Sequence, residues 1–202
     1  LFFAGIEWGG LSGLQSIYEK IFYSLAVCVL SVVVLDLITV AEENRQLAAD
    51  FILGLWLAAF FWLAWYQKTG KGITTNKIML ATVGALILVS MAVSVMTIKS
   101  SNLYFLLSLV LVVSCADISA FVGGKLFGRH KLMPNVSPGK TWEGLIFGIL
   151  GAMLIGNLIY LVNPVPNLYI WNAVVAITTL AAVVGDLFES MIKRFRKVKN
   201  SG

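Results

Sequence analysis

Glycines, hydroxyls and cations are concentrated in one stretch of the chain, residues 123–144. Glycines let backbone N–H groups approach a phosphate closely, and lysines neutralise its charge. A helix that begins just after Thr141 would also point its positive N-terminal dipole at a bound anion. We therefore predict a polyphosphate-binding segment. Its candidate ligands are Lys125, His130, Lys131, Ser137, Gly139, Lys140 and Thr141. A P-loop is excluded, because Pro134 stands where that motif requires glycine.

Two acidic residues lie inside apolar runs, where an ionised side chain costs about 2.5 to 3.5 kcal/mol. Asp117 is deep in one run, and Asp186 is near the end of another. Each must face a wet cavity, a partner charge or a metal ion. On a helix Asp186 shares a face with Glu189, Ser190 and Lys193. For Glu189 alone, a local ion pair at an interfacial helix end is the favoured interpretation.

The composition shows which elements must position these residues. Hydrophobic residues make up 59% of the 202 residues and charged residues only 12%, against about 25% charged residues in soluble domains. Uninterrupted apolar runs long enough to cross a bilayer number six, and each must be helical because hydrocarbon offers no hydrogen bonds. They are Ile21–Val40, Leu47–Tyr66, Ile78–Ile98, Leu103–Gly124, Gly144–Val162 and Leu168 to about Glu189.

The predicted fold class is accordingly an all-α, polytopic membrane protein. Residues 1–20 start apolar and continue into Glu7, Trp8 and glycines, which indicates the end of an earlier span followed by a surface segment. We expect residues 1–202 to form a single transmembrane domain. Cys28 and Cys115 both lie in apolar runs, so we interpret them as small buried hydrophobic residues.

The distribution of positive charge predicts the orientation of the chain. With six spans, only Arg45 and Lys99 of the fifteen Lys and Arg residues lie on one side, which leaves thirteen on the other. The positive-inside rule places the side with thirteen in the cytoplasm. Residues 125–143 are then a cytoplasmic substrate-binding loop. Topology alone accounts equally well for Lys68, Lys71 and Lys77.

Several motifs resemble those of the bacterial phosphatidate cytidylyltransferase family, also called CDP-diglyceride synthetases. The similarity is carried by Lys125-Leu126-Phe127-Gly128, His130-Lys131-Leu132, Ser137-Pro138-Gly139-Lys140-Thr141-Trp142 and the run Gly185 to Arg194. Glu7-Trp8-Gly9 with Leu11-Ser12-Gly13 is similar to the N-terminal motif of that family. Between Ser16 and Asn102 only the hydropathy is alike.

The resemblance implies an enzyme that joins CTP to phosphatidic acid, giving CDP-diacylglycerol and pyrophosphate, with Mg²⁺ as cofactor. It further implies a multi-pass protein of the bacterial inner membrane with its active site facing the cytoplasm, and a homodimer; no nucleic-acid partner is expected. The implied catalytic residues are Asp186, Lys193 and Asp117, and Asp186 and Glu189 would bind the metal. Ser190 and Arg194 join the polyphosphate-binding residues as implied substrate ligands.

Three departures from the family pattern affect these expectations. Lys199-Asn200 stands where the family usually has Lys-Asp, and a following His-Gly-Gly stretch has no counterpart. Ile118 and Phe121 replace residues that are commonly Ser and Tyr. Because the chain starts at Leu1 and stops soon after a basic run, we expect it to be trimmed at both ends. The missing family segment would supply a metal-binding carboxylate, so we expect the chain to be inactive by itself.

Two other functions are compatible with parts of this pattern. A CTP-dependent membrane lipid kinase, of the polyprenol or phytol type, would phosphorylate an alcohol instead of attacking the α-phosphorus. A transporter would also place carboxylates at mid-membrane and cations at one mouth. Transporters commonly contain two similar halves with broken helices, and the sequence contains no such repeat.

Overall fold

The computed structural model describes residues 1–40, 42–71, 76–163 and 166–196, without the side chain of Glu42. Seven helices and one small hairpin make up this part of the chain. They are α1 (Phe2–Ser12), α2 (Ile17–Val40), α3 (Glu42–Thr69), α4 (Lys77–Ser101), α5 (Leu103–Phe127), β1 (Lys131–Met133), β2 (Ser137–Thr141), α6 (Trp142–Val162) and α7 (Leu168–Phe195). Six of the helices, α2 to α7, are long and apolar enough to cross a membrane. The predicted fold class and the six spans are confirmed.

The helix ends are set by side-chain caps that the sequence contains. Asn102 accepts a hydrogen bond from the Phe105 N–H at the start of α5, and Asn167 accepts from two N–H groups at the start of α7. At the start of α2, Glu19 accepts from the backbone N–H of Ser16, while the Ser16 hydroxyl accepts from Tyr18. Such caps satisfy N–H groups that have no partner inside a helix.

The described helices form two compact units. The first comprises Leu1–Ser101 and Met191–Gly202, and the second Asn102–Ser190. The prediction of one transmembrane domain over residues 1–202 stays a prediction.

In the first unit, α1 packs on α2 and α4, and α2 packs on α3. The Trp8 indole donates to the Leu80 carbonyl of α4 at 3.1 Å, and Ser24 of α2 donates to the carbonyl of Phe2. Helix α1 ends at Gly13, whose φ of 100° lies in the left-handed region that favours glycine. The N-terminal motif of the sequence therefore forms a helix that is anchored on two neighbours.

In the second unit, α5 and α6 pack closely along small residues. A Cβ built on Gly144 would lie 2.9 Å from the Ala120 carbonyl oxygen, so a larger residue there would push the helices apart. At the other end of these helices, the Trp171 indole of α7 donates to the Gly156 carbonyl of α6 at 2.8 Å. Around it lies an apolar core of Val112, Ala116, Ala152, Trp171 and Val175. These contacts join α5, α6 and α7 at this end of the unit.

The segment predicted as a loop over residues 125–143 is more ordered than expected. Helix α5 continues through Phe127, and α6 begins at Trp142, so Lys125 and Glu143 both lie on helices. Between them β1 and β2 pair antiparallel, with Lys131 opposite Thr141 and Met133 opposite Ser137. The hairpin arises because the intervening residues turn the chain, with the Val136 N–H donating to the Met133 carbonyl.

Candidate functional site

A cavity of about 680 Å³ lies within the second unit, which is a typical volume for a small-molecule site. Four elements form its wall: the end of α5, the β-hairpin, the start of α6 and α7. Its lining residues are Asp117, Ala120, Phe121, Gly124, Lys125, Leu132, Ser137, Gly139, Lys140, Thr141, Gly144, Leu145, Val183 and Asp186. Seven of the residues predicted from the sequence are among them: Asp117, Lys125, Ser137, Gly139, Lys140, Thr141 and Asp186.

The α5 wall places an acid, an aromatic ring and a cation on one helix face. Asp117, Phe121 and Lys125 follow each other at intervals of four residues, the spacing of one helical turn. The Lys125 ammonium lies 5.9 Å from the centre of the Phe121 ring, within cation–π distance. Neighbouring Ile118 and Phe121 are 65% and 69% exposed. This wall therefore combines two charged groups with an exposed aromatic ring, and Ile118 lies beside it on α5, outside the cavity lining.

The β-hairpin brings the polar residues of the predicted segment to the cavity. Ser137, Gly139, Lys140 and Thr141 all belong to β2. Thr141 is also the N-cap of α6, and its hydroxyl accepts from the Gly144 N–H at 3.1 Å. The prediction that a helix begins just after Thr141 is confirmed. The positive end of that helix lies at the cavity wall, where it favours an anion.

Glu143 is a residue that the sequence did not single out. Its carboxylate accepts hydrogen bonds from the backbone N–H groups of Arg129 and His130, at 3.1 and 3.2 Å. It also lies 2.6 Å from Nδ1 of the His130 ring. Because the Trp142 N–H donates to the His130 carbonyl, residues 129 and 130 are tied to the start of α6. Glu143 thus closes the base of the hairpin.

Asp186 of α7 forms an ion pair with Lys140 of β2. The Lys140 side chain is 26% exposed and that of Asp186 is 59% exposed. The pair joins the helix and the hairpin across the cavity. Two carboxylates, Asp117 and Asp186, and two ammonium groups, Lys125 and Lys140, thus line one cavity.

The full length of the chain, residues 1–202, matches a known family, the cytidylyltransferase family. The chain belongs to the cytidylyltransferase family. It is 34% identical to the phosphatidate cytidylyltransferase of Rickettsia bellii, in a match covering 77% of this chain and 74% of that protein. The enzyme of the same name from Haemophilus influenzae is 30% identical, over 83% of this chain and 62% of that protein. The phosphatidate cytidylyltransferase of Staphylococcus aureus is 38% identical, over 52% of this chain and 40% of that protein.

In this cytidylyltransferase-family chain, the remaining predicted site residues lie outside the cavity lining. His130 and Lys131 are exposed at the base of the hairpin, where His130 contacts Glu143. Glu189 and Ser190 lie about one turn beyond Asp186 on α7, and both are partly buried. Lys193 and Arg194 belong to the end of α7 that lies in the first unit. Their predicted roles stay predictions, and Lys197, Lys199 and Asn200 lie outside the described residues.

Replacing Glu143 with Gln should loosen the hairpin. A neutral amide offers one acceptor oxygen instead of a charged carboxylate, so the N–H groups of residues 129 and 130 lose charge-assisted bonds. We expect amide hydrogen exchange across residues 129–141 to accelerate roughly tenfold, as measured by mass spectrometry.

The matched control is Glu19→Gln, because Glu19 likewise accepts from two backbone N–H groups, those of Gln15 and Ser16, but in the first unit. This control should leave exchange in the hairpin unchanged. Equal hairpin exchange in the wild type and Glu143→Gln would contradict the assigned role.

Proposed function

We propose that this protein joins CTP to phosphatidic acid, giving CDP-diacylglycerol and pyrophosphate. The observation that carries the proposal is the single cavity in which Asp117, Asp186, Lys125 and Lys140 meet at the end of membrane-spanning helices, in a chain of the cytidylyltransferase family. A cavity at such a position lets a lipid phosphate meet a water-soluble nucleotide. The relatives are named phosphatidate cytidylyltransferase, and we take the proposed substrates from that name.

In the proposed reaction, an oxygen of the lipid phosphate attacks the α-phosphorus of CTP. A new P–O bond forms to the lipid phosphate, and the bond from the α-phosphorus to the bridging oxygen breaks. Pyrophosphate leaves with that oxygen and its electron pair. The attacking group already carries negative charge, so no protein nucleophile is required. The protein's contribution is to position the two substrates and to stabilise the charge that they bring together.

The hairpin side of the cavity suits the nucleotide triphosphate. Lys140 offers an ammonium, Ser137 a hydroxyl, and the start of α6 its positive dipole. A Cβ built on Gly139 would meet no protein atom within 4 Å, so packing inside the protein does not require glycine there. A glycine at this position would instead let the backbone approach a bound phosphate closely, because no side chain stands between them.

The α5 side suits the lipid. Exposed Ile118 and Phe121 give it an apolar surface that a lipid can contact from within the bilayer. Lys125 lies beside Phe121 and would receive the lipid phosphate. With Ile118 and Phe121 in place of the Ser and Tyr common in the family, this part of α5 is more apolar.

The donor set of the cavity also fits Mg²⁺. Asp117 and Asp186 provide carboxylate oxygens, and Mg²⁺ is usually held by one or two carboxylates together with substrate phosphates. Among the described residues no group of three or more His, Cys, Asp and Glu side chains converges. A bound Mg²⁺ would offset the negative charge of the phosphates. Glu189 lies outside the cavity lining, so its role as a metal ligand stays a prediction.

Product identification tests the proposal. The full-length protein, including any residues that flank this chain, is purified in detergent and supplied with phosphatidic acid, Mg²⁺ and CTP labelled at the α-phosphorus. Label is expected in CDP-diacylglycerol. A parallel reaction uses CTP labelled at the γ-phosphorus together with a lipid alcohol, from which a lipid kinase would make a labelled lipid phosphate. Labelled lipid from γ-labelled CTP only, or no labelled lipid from either form of CTP, would overturn the proposal.

We also propose a bacterial inner-membrane location with the cavity open to the cytoplasm, on the basis of the thirteen Lys and Arg residues on that side. Single cysteines at Asn135, in the hairpin turn, and at Asn163, after α6, should react differently with an impermeant thiol reagent. The background lacks Cys28 and Cys115. In intact cells only the cysteine at 163 should be labelled, and labelling at 135 would contradict this orientation.

The homodimer implied by the family resemblance belongs to the same proposal. Chemical cross-linking of the full-length protein in native membranes should give a band at twice the monomer mass. A monomer band alone would argue against it.

A further inference from the structure

Lys140 and Asp186 form an ion pair although the proposed function gives each of them a different partner. Lys140, on the hairpin, would bind a nucleotide phosphate, and Asp186, on α7, would bind the divalent cation. The carboxylate oxygen that contacts the Lys140 ammonium is the kind of oxygen that a metal ion requires. In turn, the ammonium that contacts Asp186 is the group that a phosphate requires.

The other two charged residues of the cavity wall are placed differently. Lys125 lies over the Phe121 ring, and neither Lys125 nor Asp117 has an ion-pair partner among the residues that the structure describes. The cavity therefore holds one cation and one carboxylate that neutralise each other, and one of each that do not.

We infer that the Lys140–Asp186 ion pair makes the binding of nucleotide phosphate and of divalent cation mutually dependent. This inference rests on the proposed function. Either ligand alone must break the pair and leave one charged side chain without its partner. When both ligands bind, Lys140 contacts the phosphate and Asp186 contacts the cation. The free-energy cost of breaking the ion pair is then incurred once and is shared by two binding events. By linkage, each ligand strengthens the binding of the other by the same factor.

The first test measures cation binding without nucleotide. Mn²⁺ serves as the probe, and its free concentration is followed by electron paramagnetic resonance with the full-length protein in detergent. Lys140→Gln frees Asp186, while the matched control Lys125→Gln removes the same charge from the same cavity without touching an ion pair. We expect Lys140→Gln to bind Mn²⁺ about two- to fivefold more tightly than Lys125→Gln does. The difference is modest because solvent screens a partly exposed ion pair.

The second test is the reciprocal one and uses different variants. Binding of CTP is measured by calorimetry in the presence of EDTA. Asp186→Asn frees Lys140, and Asp117→Asn removes the same charge from the cavity without freeing a lysine. Metal-free CTP should bind about two- to fivefold more tightly to Asp186→Asn than to Asp117→Asn. Circular dichroism and gel filtration are used to check that the compared variants remain folded.

The outcomes separate the inference from the proposed function. If the wild type binds CTP and Mn²⁺ and makes CDP-diacylglycerol, but the members of each matched pair behave alike, the coupling is overturned and the function stands. If the wild type binds neither ligand, both fail. A larger effect at Lys140 and at Asp186 than at their controls supports the inference.

Discussion

Asp186→Asn is expected to lower the rate of CDP-diacylglycerol formation at least about a hundredfold in the full-length protein. Asparagine keeps the shape of the side chain but removes its negative charge. The cavity lining contains two carboxylates, and Asp186 is the one that contacts Lys140, the proposed phosphate ligand. Losing its charge would remove a proposed ligand of the metal ion and leave Lys140 without its ion-pair partner. The measurement is the initial rate with labelled CTP at saturating Mg²⁺.

Asp36→Asn is the matched control, because it makes the same substitution at an exposed aspartate of α2, outside the cavity. Its rate should equal that of the wild type. Glu189→Gln provides a further comparison: a loss as large as that of Asp186→Asn would support Glu189 as a second metal ligand. If a folded Asp186→Asn variant turned over at the wild-type rate, the Asp186 carboxylate would not be required for the reaction, and its proposed role would be wrong.

The transmembrane architecture was predictable because the bilayer imposes a simple rule on sequence. Each span needs about 20 apolar residues, and the six runs supplied them. The helices extend a few residues beyond the runs, as α5 does to Phe127. Polar residues at a membrane boundary can continue a helix since its backbone bonds are internal. Hydropathy marks the hydrocarbon part of a helix and not its ends.

The β-hairpin was not predicted, because its strands lack the usual signals. Strand β2 contains Pro138 and Gly139, which disfavour strands, and β1 is only three residues long. The turn between the strands does contain Pro134-Asn135, a pair typical of turns. That signal could have been used. The sequence offered no comparable sign of the Glu143 clamp, since it depends on the path of the backbone at residues 129 and 130.

The membership of the site was partly predictable. Residue type and position along the chain indicated that acids and cations approach the same membrane face, and seven of the predicted residues line one cavity. Their pairing was not predictable. The contact between Lys140 and Asp186 depends on where the hairpin lies relative to α7, which hydropathy and motif spacing do not specify.

Lys140→Ala is expected to raise the KM for CTP roughly ten- to a hundredfold, the effect of losing a hydrogen bond to a charged phosphate. The Lys140 side chain lies on β2 at the cavity, and alanine removes its ammonium without altering the strand's backbone bonds. The KM for phosphatidic acid should change little, because the proposed ligand of the lipid phosphate is Lys125, on α5. Initial rates with each substrate varied in turn measure both constants.

Lys125→Ala should give the reverse pattern, raising the KM for phosphatidic acid more than that for CTP. Lys99→Ala removes the same group from the end of α4, outside the cavity, and should alter neither constant. The comparison of Lys140→Ala with Lys125→Ala is decisive. If only the total positive charge of the cavity mattered, both variants would raise the KM for CTP and the KM for phosphatidic acid by similar factors. A CTP KM that stays at the wild-type value in folded Lys140→Ala would show that the hairpin does not bind the nucleotide, and the assignment of the two walls to two substrates would fail.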